Sequence, residues 1–181
     1  VFERKGQKLE LLREISHSNR IDDIAISRDN QLAAITTYPG NAIELIDLGS
    51  GDLLWSIQAP EYCSAVAISP DKKWVAAGGS QVWLMDTKDP MARGSMATYK
   101  KLGNNVDQVE FSPSGDALVS TSYDGRVRIF GVGGLDTGTL DLLKELRHSG
   151  SANVYAADWR SDGLQLLTSS GDRTVRLWGQ P

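Results

Sequence analysis

The chain has 181 residues, of which 40% are hydrophobic and 23% are charged, and its formal net charge is -4 with a pI near 5.2. The Lys and Arg residues are scattered rather than clustered, and neutralising phosphates requires clusters, so a general nucleic-acid surface is not expected. No apolar run approaches the ~20 residues that a transmembrane helix needs, so no membrane association is expected either.

One block of three strand-like runs recurs four times along the chain. In each copy an apolar run ends at a polar turn, a second apolar run follows, and a third ends in a bulky residue. The residues that close the first run are Ile26, Ile68, Phe111 and Trp159, which are separated by 42, 43 and 48 residues. Periods of this length predict one four-stranded blade of a β-propeller per copy. The expected fold is therefore all-β, built of antiparallel four-stranded blades.

Taken in chain order, the first element is the end of a preceding copy. Residues 1–7 open with Val1-Phe2-Glu3, and Phe2 matches the bulky residue that closes a third run, so the chain is expected to begin in the middle of a blade. The four repeats that follow span about residues 8–47, 48–86, 87–131 and 132–179. The segment KLELLREI (8–15) is predicted to be an outer strand because of its place in the repeat. We expect one domain over residues 1–181.

Within each repeat the alternation of apolar and polar residues predicts strands, and Ser-Pro, Ser-Arg or Ser-Asp-Gly segments predict the turns. VDQVEFS and VYAADWR are expected to be innermost strands. The runs RVRIF and TVRLW alternate cationic and apolar residues, as half-exposed strands do.

The last two copies carry a more specific motif. STSYDGRVRIF (120–130) and TSSGDRTVRLW (168–178) each contain Ser or Thr, an Asp four residues on and an aromatic residue six further. These segments resemble the signature of the WD-repeat β-propeller family. The resemblance implies a hydrogen-bonded structural tetrad in the fourth copy, made of His148, Thr168, Asp172 and Trp178.

The other copies keep only part of this motif. The third copy has Ser120 and Asp124, but Phe130 replaces Trp and no His lies upstream. The first copy has His17 without an Asp in the turn, and the second copy has neither residue. The tetrad is therefore expected to be incomplete in three of the four copies.

Four blades are fewer than the mostly seven-bladed rings of this family. The chain is expected to form an arc of a larger seven- or eight-bladed propeller, whose ends the remaining blades, a partner chain or a second copy would cover. The alternative is a compact four-bladed ring in which residues 8–15 supply the outer strand of the last blade.

Catalytic and metal-binding constellations are absent from the sequence. With two His and one Cys there is no ligand spacing for a metal, and neither a cofactor nor an enzymatic activity is expected. His17 and His148 occupy the His position of the repeat and are interpreted as structural. Cys63 is interpreted as a small buried hydrophobic residue of an inner strand. A single Cys mildly favours a reducing compartment, so a cytoplasmic location is expected, with a nuclear one left open.

The resemblance also implies where partners bind. In WD-repeat propellers partner peptides often dock over the narrow face, contacted by the first residues of each inner strand and by the turn before the tetrad Asp. The corresponding residues are Arg20, Asp22, Tyr62, Ser64, Asn105, Asp107, Tyr123, Asn153 and Tyr155.

The expected function is a non-catalytic scaffold or adaptor that binds peptides or protein partners within a larger assembly. The alternative is a small-molecule-binding or enzymatic propeller, with a central-channel site that further blades would complete. Of the residues in this chain, Arg20, Asp22 and Asp107 would qualify for such a channel.

Overall fold

The computed structural model describes residues 2–5, 8–92, 96–100, 102, 104–133, 138–150 and 152–179. All regular secondary structure in this part of the chain is β-strand, and every pair of neighbouring strands is antiparallel. The strands are β1 (Phe2–Lys5), β2 (Lys8–Leu11), β3 (Arg20–Ile26), β4 (Leu32–Tyr38), β5 (Ala42–Asp47), β6 (Leu53–Gln58), β7 (Cys63–Ile68), β8 (Trp74–Gly79), β9 (Val82–Asp86), β10 (Met96–Tyr99), β11 (Val106–Phe111), β12 (Ala117–Ser122), β13 (Arg126–Gly131), β14 (Asp141–Arg147), β15 (Val154–Trp159), β16 (Gln165–Ser170) and β17 (Val175–Gly179).

The strands form successive sheets whose order follows the chain. We name β3–β6 the first blade, β7–β10 the second, β11–β14 the third and β15–β17 the fourth. The first three blades have four strands and the fourth has three. Strands β1 and β2 pair as a separate two-stranded sheet. This arrangement confirms the expected all-β propeller architecture.

The blades lie side by side, with their first strands in contact. Strand β7 packs against both β3 and β11, and β11 packs against β15, so the first strand of each blade is the innermost. One apolar cluster fills each boundary. The first includes Leu45 and Val75, the second includes Leu84 and Val109, and the third includes Val127 and Ala157. Each blade therefore buries its faces on its neighbours, as repeat architectures require.

The turn between the first two strands explains why a Ser-initiated segment recurs. The hydroxyls of Ser27, Ser69 and Ser112 each accept a hydrogen bond from the backbone N-H that opens the second strand, at 2.9, 2.9 and 3.1 Å. In these three turns and in the Arg160-initiated turn of the fourth blade, the last residue has a positive φ between 59° and 79°. These residues are Asn30, Lys72, Gly115 and Gly163. Asn and Gly suit this left-handed region, and the turn type accounts for their positions.

The two ends of the arc are open. Ile24 and Ile26 on β3 are 64% and 55% exposed, and Val175 and Leu177 on β17 are 66% and 63% exposed. The end faces therefore do not cover one another, in contrast to a compact four-bladed ring.

Strand β2 pairs with β1, and Phe2 lies opposite Leu11 as Phe130 lies opposite Leu142 in the third blade. The predicted outer strand at residues 8–15 is shorter than expected, since β2 ends at Leu11.

No helix in the described residues is long and apolar enough to cross a membrane.

Candidate functional site

A β-bulge interrupts every innermost strand at its second or third residue. The pairing with the second strand shifts register between Ile21 and Asp23, and the other three first strands show the same shift. The residues placed out of the ladder are Asp22, Ser64, Asp107 and Tyr155. A bulge re-aims the side chain of the extra residue. All four belong to the predicted narrow-face set, so the bulges account for their common placement.

The residue after the bulge makes a contact between blades. The Asp23 carboxylate accepts a hydrogen bond from the Val66 backbone N-H at 2.8 Å. In the same way the Gln108 side-chain oxygen accepts from the Ala157 backbone N-H at 2.7 Å. Each bond joins one innermost strand to the next and therefore fixes the spacing of the bulged residues.

Four tyrosines lie as two ring pairs among the predicted narrow-face residues, and we name these four the tyrosine row. The rings of Tyr38 and Tyr62 meet edge to face at a centroid distance of 5.8 Å, and those of Tyr123 and Tyr155 meet at 6.5 Å. Tyr38 and Tyr155 are 44% and 49% exposed. The Tyr123 hydroxyl donates to Asp107 at 2.8 Å, which orients its ring. Three of these tyrosines, Tyr62, Tyr123 and Tyr155, were predicted from the sequence, and Tyr38 was not.

The missed residue is Tyr38, at the end of β4. Its backbone lies opposite Arg20, two residues before the bulged residue of the first blade. Tyr123 comes directly after β12, and its backbone N-H donates to the Asn105 carbonyl, two residues before the bulged residue of the third blade. Alignment of the first and third repeats at these positions would have identified it.

Arg20 and Asp22 form a charged pair beside the tyrosines. The Arg20 Nε atom donates to Asp22 Oδ1 at 2.7 Å, and the guanidinium lies 4.9 Å from the centroid of the Tyr38 ring. The hydrogen bond to Asp22 raises the pKa of Arg20. Burial raises the pKa of Tyr62, and the neighbouring Asp22 charge adds to this effect. The hydrogen bond to Asp107 raises the pKa of Tyr123. Both phenols therefore stay protonated at neutral pH.

Three of the predicted narrow-face residues use their polar groups within the fold. The Ser64 hydroxyl donates to the Val106 carbonyl at 3.2 Å, across the blade boundary. The backbone carbonyls of Asn105 and Asn153 accept hydrogen bonds from the hydroxyls of Ser122 and Ser170 at 3.0 and 2.9 Å. These contacts hold the turns that carry Tyr123 and precede Asp172.

In the fourth blade the four residues of the tetrad are joined by hydrogen bonds. The Trp178 indole N-H donates to the Thr168 hydroxyl at 2.8 Å, and that hydroxyl lies 2.7 Å from His148 Nε2. His148 Nδ1 lies 3.3 Å from both carboxylate oxygens of Asp172. A carboxylate accepts only, so Nδ1 carries a proton and a neutral imidazole accepts from Thr168 at Nε2.

Asp172 is also held by its own turn. Its carboxylate accepts from the Thr174 hydroxyl at 2.6 Å and from the backbone N-H groups of Ser149 and Thr174 at 3.0 Å. These hydrogen bonds, with that of Thr174 the largest, lower the pKa of Asp172. A carboxylate with several donors is favoured in its charged form.

The third blade lacks the His but keeps an arginine at the position that Arg176 occupies beside the tetrad Asp in the fourth blade. The buried Arg128 side chain, 1% exposed, pairs with Asp124 at 2.6 Å and with Glu145 at 3.5 Å. Burial opposes ionisation of Asp124, but the hydrogen bonds and charge of Arg128 prevail and lower its pKa. The Ser120 hydroxyl is buried and has no hydrogen-bond partner among the described residues. Arg128 was not identified from the sequence.

The first blade uses a different carboxylate. His17 Nε2 lies 2.6 Å from Glu44 Oε2, and the Ser56 hydroxyl donates to the other Glu44 oxygen at 3.1 Å. Glu44 lies in β5, two residues before Ile46, as Arg128 lies two residues before Phe130. The repeat signature places the partner of this His in the turn as an Asp, so it does not predict a Glu on β5.

A groove along the innermost strands is lined by both apolar and polar side chains, among them Arg28 and one carboxylate with a perturbed pKa. The groove has a volume of about 470 Å³ and runs past Val66, Glu110 and Trp159. Burial, with a smaller contribution from the Asp158 charge, raises the pKa of Glu110 to about 7.

In the described part of the chain, no three His, Cys, Asp or Glu side chains gather to hold a metal. Cys63 is fully buried at the start of β7, and burial raises the pKa of its thiol to about 12.

Comparison with known proteins agrees with this geometry. Residues 96–131 and 140–179 match the family model described as "WD domain, G-beta repeat". The chain is 40% identical over 76 residues to Actin-interacting protein 1 of Drosophila melanogaster, a match that covers 40% of the chain and 11% of that protein. It is 29% identical over 153 residues to Elongator complex protein 2 of Arabidopsis thaliana, covering 83% of the chain and 17% of that protein.

A further relative is the small ribosomal subunit protein RACK1 of Medicago sativa, which is 29% identical over 133 residues. That match covers 65% of the chain and 41% of RACK1. The chain therefore spans less than half the length of each of these three relatives.

Proposed function

We propose that this chain, whose residues 96–131 and 140–179 match the WD-repeat family model, is a non-catalytic scaffold that holds protein or peptide partners over its narrow face. WD-repeat domains typically mediate protein interactions. A fold does not by itself establish a function, so the function must follow from the residues of the site. The observation that carries the proposal is the row of Tyr38, Tyr62, Tyr123 and Tyr155 beside two carboxylates.

The row has the composition of a binding surface. Tyrosine and arginine are enriched among residues that dominate interface energies, because their large side chains bury much area with few rotatable bonds. The hydroxyl of Tyr123 is already bonded to Asp107, so its ring needs little ordering when a partner arrives.

The proposal includes a larger assembly. The exposed Ile24, Ile26, Val175 and Leu177 mark two apolar end faces that further blades, a partner chain or a second copy would cover. We place the protein inside the cell, where a buried thiol such as Cys63 stays reduced.

The test measures a partner's affinity for variants of the narrow face. Proteins captured on the immobilised chain from a cell extract supply the partner, and its Kd is then measured against Arg20→Ala, Tyr62→Ala and Tyr155→Ala. Each change should weaken binding by more than about 1 kcal/mol. The melting temperature should stay nearly unchanged, since surface substitutions usually cost little stability.

Glu10→Ala and Lys144→Ala are the controls, because both side chains are exposed on outer strands. A partner that ignores all three narrow-face changes and responds to the outer-strand changes would place recognition on the rim of the arc.

A further inference from the structure

The narrow face combines aromatic rings with negative charge. Asp22 and Asp107 are the bulged residues of the first and third blades, and the described residues that begin the four innermost strands include one basic side chain, Arg20. Aromatic faces carry negative electrostatic potential, so rings and carboxylates together favour a cation.

Arg20 shows that this surface accommodates a guanidinium group. It pairs with Asp22 at 2.7 Å while its Cζ lies 4.9 Å from the Tyr38 ring centroid. Its side chain is still 64% exposed, so the contact stands at the margin of the row. Tyr62, Tyr123 and Tyr155 likewise combine aromatic rings with a neighbouring carboxylate.

Asp22 provides an independent sign of a missing donor. Its side chain is only 9% exposed, and its Oδ2 atom is buried without a hydrogen-bond partner among the described residues. A buried carboxylate oxygen without a donor is costly and requires an explanation. Asp22 also lies beside Tyr62, since burial raises the pKa of that phenol and the Asp22 charge and a side-chain interaction with Asp22 raise it further. The two residues therefore belong to the same surface, and the phenol is, besides Arg20, a donor that this surface offers to the Asp22 carboxylate.

Asp107 is positioned to act as a second counter-charge. One of its oxygens accepts from the Tyr123 hydroxyl at 2.8 Å, and Tyr123 in turn contacts Tyr155. The phenol holds the carboxylate in place without neutralising it.

We propose that the narrow face binds a basic side chain, an arginine or lysine of a peptide segment, against Tyr62, Tyr123 and Tyr155 with Asp22 and Asp107 as counter-charges. This inference rests on the proposed function and specifies the chemistry of the partner. A cation on this surface gains both contact with the rings and charge-assisted hydrogen bonds.

The experiment uses labelled Gly-Ser peptides that carry arginine at alternate positions, with citrulline and glutamate versions as probes of the same shape or opposite charge. Fluorescence anisotropy of the chain with each peptide should show arginine binding at least tenfold tighter than citrulline. Affinity should fall as salt rises. Asp107→Asn and Tyr155→Ala should each weaken arginine binding about tenfold or more.

The control variant is Asp52→Asn, which removes the same charge from an exposed residue between β5 and β6 and should leave binding unchanged. Thermal melting of each variant shows that the fold is intact. Equal binding of the arginine and citrulline peptides, or arginine binding unaffected by Asp107→Asn, would overturn the inference.

Different results would refute the cation site and the scaffold proposal. A captured partner whose affinity falls with Tyr155→Ala but not with Asp107→Asn or salt would keep the scaffold and refute the cation site. A partner insensitive to every narrow-face change would refute both.

Discussion

The hydrogen bonds at Thr168 and the unpaired hydroxyl of Ser120 make a matched pair of tests. Both residues occupy the same position in the second strands of neighbouring blades, since Thr168 lies opposite Arg176 and Ser120 opposite Arg128. Thr168 bonds Trp178 and His148, whereas Ser120 has no partner among the described residues.

Thr168→Val keeps the shape of the side chain and removes both bonds. Each lost bond costs about 0.5–1.5 kcal/mol, and leaving the buried His148 Nε2 without a donor adds a desolvation penalty of about 1 kcal/mol. The free energy of unfolding should therefore fall by about 2–4 kcal/mol. For a chain of this size the melting temperature should fall by about 4–16 °C.

Ser120→Ala removes a buried hydroxyl that makes no hydrogen bond, so its effect should be near zero or slightly stabilising. Urea unfolding followed by tryptophan fluorescence measures both variants under one protocol. The reasoning fails if Thr168→Val lies within about 0.5 kcal/mol of the parent chain, or if Ser120→Ala costs as much as Thr168→Val.

Three further outcomes are expected. Gly79→Ala should strongly destabilise the chain, because a Cβ there would lie 1.9 Å from the Tyr62 carbonyl oxygen, whereas Gly133→Ala, with nothing within 4 Å, should be nearly neutral in the same urea titration. Glu110 binds its proton more tightly in the folded chain, so its contribution to stability is retained below pH 4.5 and is lost as pH rises through about 7. Glu110→Gln should therefore match the parent chain at low pH and exceed it in melting temperature at pH 8; equal melting at pH 8 would contradict the raised pKa. The Cys63 thiol should resist alkylation until urea unfolds the chain, and rapid labelling in buffer would contradict its burial.

The sequence determines the blade pattern because short-range chemistry repeats in it. The alternation in the runs that end at Ile26 and Phe111 sets the strands, and the Ser-initiated turns set their connections. The family signature in the fourth copy was sufficient to name all four residues of its hydrogen-bonded group, since spacing in that signature encodes facing positions on adjacent strands.

Side-chain contacts between residues that are far apart in the chain could not be predicted from the sequence. Glu44 reaches His17 from a strand 27 residues away, and Arg128 reaches Glu145 on the neighbouring strand. Neither of these contacts has a spacing that the signature contains. The pair of Arg128 and Asp124, in contrast, has the same four-residue spacing as the corresponding pair in the fourth blade. Register shifts are equally hidden, because a bulge depends on strand pairing and not on the identity of the residue it displaces. The narrow-face residues were therefore predicted by resemblance, and four of the nine turn out to be the bulged residues of the innermost strands.

The hydrogen bond that passes from one innermost strand to the next gives the arc a direction. Asp23 supplies the acceptor for the second blade and Gln108 supplies it for the fourth. The second blade has Ala65 at this position, and there Val106 packs against Gly78 while the hydroxyl of the serine before Ala65 donates to the Val106 carbonyl. A tandem duplication of the third repeat would carry its own acceptor forward, but a duplication of the second would offer its new neighbour a hydroxyl donor and no side-chain acceptor. The order of the blades is thus specified by their boundaries, and rearranging these repeats as interchangeable modules would break the contacts on which each successor depends.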